Sequence, residues 1–207
     1  MLSEEYHLVE SRREWDSAAD SFDDSPDHGM TDTKIREAWS QKLVSWLPGN
    51  PVTVLDIGCG TGSMSLLAAE AGMIVTGVDY SERMLDKARS KAASHNLNAQ
   101  VEFEQMDASN LQFSALRKFD VILCRHVLWA LPDAALALQA WTALLTTHGR
   151  LILIEGYWHT NAGMHLHSLI DMLPPIFANV QTFQLAADQA LWGKPESDER
   201  YAVVAIK

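Results

Sequence analysis

Apolar positions change their period along this 207-residue chain. Before about residue 50 they recur at helical spacing, as in Ile35, Trp39, Leu43 and Trp46, with Thr31 or Asp32 as the cap and Pro48-Gly-Asn-Pro51 as the stop. An earlier amphipathic helix is predicted from a Ser3 cap to about Ala19, halted by Asp23-Asp-Ser-Pro26, with Pro26–Met30 as a turn. After Pro51, short β-branched runs alternate with longer helical stretches. Strands are predicted at Val52–Asp56, Ile74–Asp79, Val101–Glu104, Val121–Cys124 and Leu151–Glu155, and helices near Ser63–Ala71, Glu82–Ser94 and Asp133–Leu145. Near-continuous apolar strands need cover on both faces, and helix-long connections are what parallel neighbours require. A further helix near Met164–Leu173 stops at Pro174-Pro175. Ala178–Leu185 and Arg200–Ile206 then read as two strands without a crossover helix, an antiparallel hairpin. The pattern predicts an open, mostly parallel α/β sheet with helices on both faces.

Composition narrows the class. Hydrophobic residues make up 47% and charged residues 21%, ordinary for a globular chain whose length suits one compact domain. A net charge of −11 offers no phosphate-attracting field, so a nucleic-acid partner is not expected. Much of the acidity precedes residue 33, in Glu4, Glu5, Glu14, Asp16, Asp20, Asp23, Asp24, Asp27 and Asp32, and reads as a solvated helix face. Two cysteines, Cys59 and Cys124, make no disulfide framework or metal spacing, and the amino terminus has neither a basic nor an apolar leader region. No run reaches the roughly 18 apolar residues of a membrane span. A cytoplasmic setting, no membrane, and a monomer or homodimer are the expectations.

Val54-Leu-Asp-Ile-Gly-Cys-Gly-Thr-Gly62 ends a strand in Asp56, passes glycines at 58, 60 and 62, and opens a helix. Glycines let backbone approach a ligand where a Cβ would obstruct, and the free N–H groups of a helix start favour an anionic group. A dinucleotide fingerprint wants glycine or alanine at position 63, where Ser63 stands, and a Walker loop wants a lysine, where Ser63-Met64 follows. Asp79, at the end of Val75-Thr-Gly-Val-Asp79-Tyr-Ser81, suits both ribose hydroxyls of a nucleoside-bearing cofactor and would repel a 2′-phosphate.

The run Asp-x-Gly-x-Gly-x-Gly resembles the class I S-adenosylmethionine-dependent methyltransferases, type 11/25-like, which act on small molecules. Four further segments in order extend the resemblance over about residues 52–155: the Asp79 strand, Glu104-Gln-Met106-Asp107-Ala108, Phe119-Asp-Val-Ile-Leu-Cys-Arg-His-Val-Leu-Trp-Ala-Leu-Pro132 and Gly149-Arg-Leu-Ile-Leu-Ile-Glu155. Trp15-Asp16, Ala18 and Phe22-Asp23 resemble the opening helices of small bacterial members. The resemblance implies a Rossmann-like seven-stranded sheet with an N-terminal helical lid over residues 1–50 and a core over residues 51–207. It also implies S-adenosylmethionine as cofactor, S-adenosylhomocysteine as product and no metal. Asp56, Gly58, Cys59, Gly60 and Gly62 would meet the methionine end. Asp79, Tyr80 and Met84 would border the ribose and adenine, Met106, Asp107 and Ala108 the adenine, and Arg125, Trp15 and Phe22 the remaining walls.

A sulfonium is already electrophilic, so a protein needs chiefly to align the acceptor and exclude water, with a base useful for O–H or N–H acceptors. His126 and His159 are the candidate bases. His28, Trp39, His126, Trp129, Trp158, His159 and His165 are candidate acceptor-pocket residues, with Trp192, Met164, Leu166 and Leu169 as an apolar supplement. The spacing of His159, His165 and His167 fits no standard zinc site. The activity expected is methyl transfer to N or O of a small aromatic or heterocyclic metabolite. The alternatives are a protein or nucleic-acid acceptor, and a cofactor-binding regulatory module without catalysis.

Overall fold

The computed structural model describes residues 12–49, 52–114 and 116–207. Seven strands form one sheet in the order β3-β2-β1-β4-β5-β7-β6. They are β1 (Thr53–Ile57), β2 (Ile74–Asp79), β3 (Val101–Gln105), β4 (Phe119–Arg125), β5 (Leu145–Tyr157), β6 (Asn179–Gln184) and β7 (Glu199–Ile206). β1 to β5 run parallel, while β7 lies between β5 and β6 and pairs antiparallel with both. This is the Rossmann-like fold expected, with its antiparallel carboxyl-terminal pair. The chain moves outward from β1 to β3, then returns to place β4 on the other side of β1. That reversal opens a crevice at the carboxyl ends of β1 and β4.

Alternation along the strands makes two cores. Val54, Val75, Val121, Ile152 and Val204 face α3 (Thr33–Trp46) and α4 (Ser63–Glu70), whereas Leu55, Ile122, Leu153 and Val203 face α6 (Ala134–Ala143) and α7 (Leu166–Met172). α5 (Glu82–Ser94) turns Leu85, Ala88 and Ala92 inward. Capping follows the side chains: Asp32 accepts from Lys34 and Ile35 N–H, Ser81 from Met84 and Asp133 from Leu136. At the other end of α3, Arg150 donates to the Trp46 carbonyl at 2.7 Å, a cation at a helix carboxyl terminus.

The predicted first helix is helical over residues 12–18, here α1, while its Ser3 cap lies outside the described residues. The predicted turn at 26–30 contains a single helical turn, α2 (Pro26–Gly29), closed by left-handed Met30. Another turn, α8 (Gln189–Trp192), occupies the loop between β6 and β7, and four residues are too few to show a period. It buries Trp192, whose Nε1 donates to the Leu185 carbonyl at 2.9 Å. Trp39 crosses it edge to face at 5.3 Å and donates to the Leu191 carbonyl at 2.8 Å. Both tryptophans therefore belong to the core and not to an acceptor pocket. Leu169 is likewise buried, and Met164 and Leu166 pack against the second core. Among the described residues, no helix is long and apolar enough to cross a membrane.

Candidate active site

Beyond β1, Gly58, Gly60 and Gly62 have φ of 67°, 53° and 82°, left-handed values that side chains disfavour. The three glycines do different work. A Cβ at Gly58 would stand 2.3 Å from Val127 Cγ2, so this position lets the turn after β4 close against β1. A Cβ at Gly60 meets only the Phe22 ring at 3.6 Å and would occupy open space. At Gly62 a Cβ would press Ala88 and Phe103 at 3.0 and 3.1 Å, and the residue does not line the cavity described next. Helix packing explains Gly62, where a ligand was expected to.

A cavity of about 690 Å³ opens at the crevice between β1 and β4. Asp56, Gly58, Cys59 and Gly60 form one wall, Asp79, Tyr80 and Met84 a second, and Met106, Asp107 and Ala108 a third. Trp15, Phe22 and His28 come down from the amino-terminal segment, and Arg125 and His126 rise from the end of β4. Glu14, Thr61, Ser63, Met64, Val127, Ala130, Leu131 and Pro132 also line it. None of these eight was expected as a site residue, although all lie within or beside the quoted motifs.

The walls are acidic. Asp79 accepts from Gly60 N and Ser81 N at 2.9 Å each, and burial raises its pKa against those bonds. Asp56, fully buried, accepts from Ser65 Oγ at 2.5 Å and is raised to about 6, first by desolvation. Cys59 is pushed well up by burial and then by Asp79 and Asp56, which removes it as a thiolate. The one lining cation among the described residues, Arg125, is held by Asp27: it donates to the carbonyl at 2.7 Å and to Oδ2 at 2.9 Å, over the Trp39 ring at 4.7 Å.

Asp27 is one of several acidic residues that turn out not to be a solvated face. Asp16 accepts from Ser81 Oγ at 2.6 Å, and Asp23 pairs with Lys91 at 3.0 Å and accepts from Thr61 Oγ1 at 2.6 Å, whereas Asp20 pairs with Arg83 and Lys87 on the solvated face. These contacts dock the amino-terminal segment across the cavity. Glu4 and Glu5 lie outside the described residues.

The expected acceptor residues separate. His28 stacks on Phe22 at 4.4 Å and His126 reaches the cavity from a left-handed backbone, φ 59°. Burial lowers the pKa of both, that of His126 well below 6.5. The His126 ring meets Trp158 edge to face at 5.2 Å between centroids, and its Nε2 is buried without a hydrogen-bond partner. Trp129 donates to the His126 carbonyl at 3.1 Å and packs with Trp158 behind the turn, not on the cavity wall. His159 lies 3.2 Å from Ser197 Oγ, and His165 pairs with Glu199 at 2.6 Å while stacking on Tyr157. A backward bridge from Tyr157 to Gly163 takes both histidines to the β5–β7 margin, so His159 is not placed to act as base in this cavity.

The methyltransferase domain family matches residues 49–199, most of the chain, from just before β1 to the start of β7. The chain belongs to this family of methyltransferase domains. This member is 39% identical over 98 residues to the ubiquinone biosynthesis O-methyltransferase of Coxiella burnetii, covering 47% of this chain and 41% of that protein. It is 30% identical over 174 residues to the demethylmenaquinone methyltransferase of Desulfitobacterium hafniense, covering 76% and 66% respectively. The chain thus spans less than two thirds of either relative. Among solved structures, magnesium protoporphyrin IX methyltransferase from Synechocystis with bound S-adenosylmethionine superposes with a TM-score of 0.63 at 26% identity, covering 83% of this chain and 78% of that one.

Proposed function

We propose that this methyltransferase-family chain moves the methyl group of S-adenosylmethionine to an oxygen or nitrogen of a small aromatic or heterocyclic acceptor. The observation that carries the reading is the convergence of three motifs, far apart in sequence, on one acidic cavity. Asp56 and Asp107 on the cavity wall favour a ligand carrying an ammonium and a sulfonium over the phosphates of a dinucleotide, and Asp79 suits its ribose. Backbone N–H groups of Gly60, Ser81 and Tyr80 hold the two Asp79 oxygens, which suits this carboxylate to ribose hydroxyls at the cavity wall. Met106 and Asp107 would take the adenine, Gly58 and Gly60 the methionine end, and Trp15 and Phe22 the outer side, where an aromatic face adds about 0.5–2 kcal/mol toward a cation.

The cofactor supplies an electrophilic methyl group. The chain's own residues must orient the acceptor, exclude water and accept its proton. His126 is the side chain suited to that base: it lines the cavity, and its lowered pKa keeps the imidazole neutral at pH 7. The segment that carries Trp15, Phe22 and His28 acts as a lid over the cavity, whereas α3 belongs to the core. The names of the relatives, tied to ubiquinone, demethylmenaquinone and magnesium protoporphyrin, support a ring-bearing small molecule as acceptor. The free cysteines, Cys59 and Cys124, support a reducing, cytoplasmic setting.

Isothermal titration tests the reading. S-adenosylmethionine should bind the parent chain, and Asp79→Ala should weaken binding at least about tenfold, the loss of a charged hydrogen-bond pair. A folded parent that binds neither S-adenosylmethionine nor S-adenosylhomocysteine would sink it.

A further inference from the structure

The turn after β4 is held by a side chain to which the reaction above gives no role. His126, Val127 and Leu128 present three successive backbone N–H groups where β4 has ended. Neighbouring β5 supplies every acceptor: the Ile154 carbonyl takes His126 N at 2.9 Å, and Oε1 of Glu155 takes Val127 N at 3.1 Å and Leu128 N at 2.8 Å. Glu155 is fully buried, and its second oxygen, Oε2, has no partner. A buried carboxyl with an unsatisfied oxygen is costly, and an aliphatic side chain would fill the space without that penalty. What the turn gains is His126 in a left-handed conformation, which a non-glycine residue keeps only when its surroundings impose it. It also gains the seating of Val127 against Gly58.

We propose that Glu155 is the positioning residue for His126, fixing through the two N–H bonds to Oε1 the turn that presents the imidazole to the cavity. The inference rests on His126 being the base of the proposed reaction. Burial raises the Glu155 carboxyl to about 8, so at neutral pH it is held as a neutral acid. A glutamine offers the same carbonyl acceptor.

The test is NMR of the full chain with 15N-labelled histidine in the parent, Glu155→Gln and Glu155→Leu, each also titrated with S-adenosylhomocysteine. Glu155→Gln should keep the His126 nitrogen shifts of the parent. Glu155→Leu should move the His126 titration midpoint upward toward the ordinary 6.5 as the turn relaxes and water enters. A folded Glu155→Leu chain with an unchanged His126 titration overturns the proposal, as does a Gln variant perturbed as strongly as the Leu one. If the Leu variant does not fold, amide exchange decides: Val127 and Leu128 should be protected in both the parent and Glu155→Gln, and exchange at open-loop rates in either overturns the clamp. Absent S-adenosylhomocysteine binding in the parent would count against the methyl-transfer reading alone, since the histidine signals report the turn without any ligand.

Discussion

Gly58 and Gly60 look equivalent in the sequence, yet alanine at the two sites should fail in different ways. Both have left-handed φ, which costs a side-chain-bearing residue about 1–2 kcal/mol. Only Gly58 adds a collision, 2.3 Å to Val127 Cγ2, with further approaches of 3.1 and 3.2 Å to the same branched side chain. Val127 cannot swing away cheaply because its N–H is held by Glu155 and its χ1 is restricted by β-branching. Overpacking of this kind costs about 1–3 kcal/mol more, so Gly58→Ala should lose about 2–5 kcal/mol before a gain of roughly 0.4–1 from the stiffer unfolded chain. Gly60→Ala meets only an ordinary 3.6 Å contact with Phe22 and should cost about 1 kcal/mol. Its methyl group, however, enters the cavity. Urea unfolding followed by circular dichroism, with calorimetric titration of S-adenosylmethionine on each variant, separates the effects. Gly58→Ala should be the less stable, and Gly60→Ala should bind at least about tenfold more weakly than the parent while staying folded. Equal stabilities within about 0.5 kcal/mol would show that Val127 yields, and parental binding by Gly60→Ala would remove the turn from the cofactor site.

Two further expectations concern buried charge. Asp27→Ala keeps the carbonyl bond to Arg125 but removes the carboxylate from a cation with 10% side-chain exposure and should cost about 3 kcal/mol in urea unfolding, whereas Asp20→Ala, at a 63% exposed carboxylate, should leave the midpoint unchanged within error. Glu155 binds its proton more tightly folded than unfolded, with a pKa raised from 4.5 to about 8, so the parent loses stability as pH rises between those values. Glu155→Gln lacks that group. Its stability relative to the parent should therefore grow across the same window and level off above it, and a difference that does not change with pH would mean that Glu155 is not desolvated as the fold indicates.

Much of the fold was legible because its causes are local. A strand's alternation, a helix's repeat, a proline stop and a left-handed glycine depend on near neighbours, so all seven strands and the principal crossover helices were expected near their observed positions. The cavity walls at Asp56–Gly60, Asp79–Tyr80 and Met106–Ala108 were legible for the same reason: each motif sits at a strand's carboxyl end, and parallel strands bring those ends together.

Other features were decided only in three dimensions. Periodicity says that Trp39 lies on the apolar face of its helix, but Trp192, 153 residues on in sequence, determines that this face meets the core. The same holds for Asp27, whose charge reads as solvated until Arg125, 98 residues away, takes it. His159 and His165 follow a strand that ends at the crevice, and a backward bridge of six residues carries them off it. Glu155 reads only as a polar end to an apolar strand until the neighbouring turn supplies its two N–H partners. The sequence by itself determined which segments could form strands, helices and a ligand-approaching turn, because backbone sterics and side-chain period act over a few residues. Which of two faces a side chain presents, and whether a charge meets water, a ligand or an opposite charge, was decided by segments distant in the chain, and only tertiary packing brings those together.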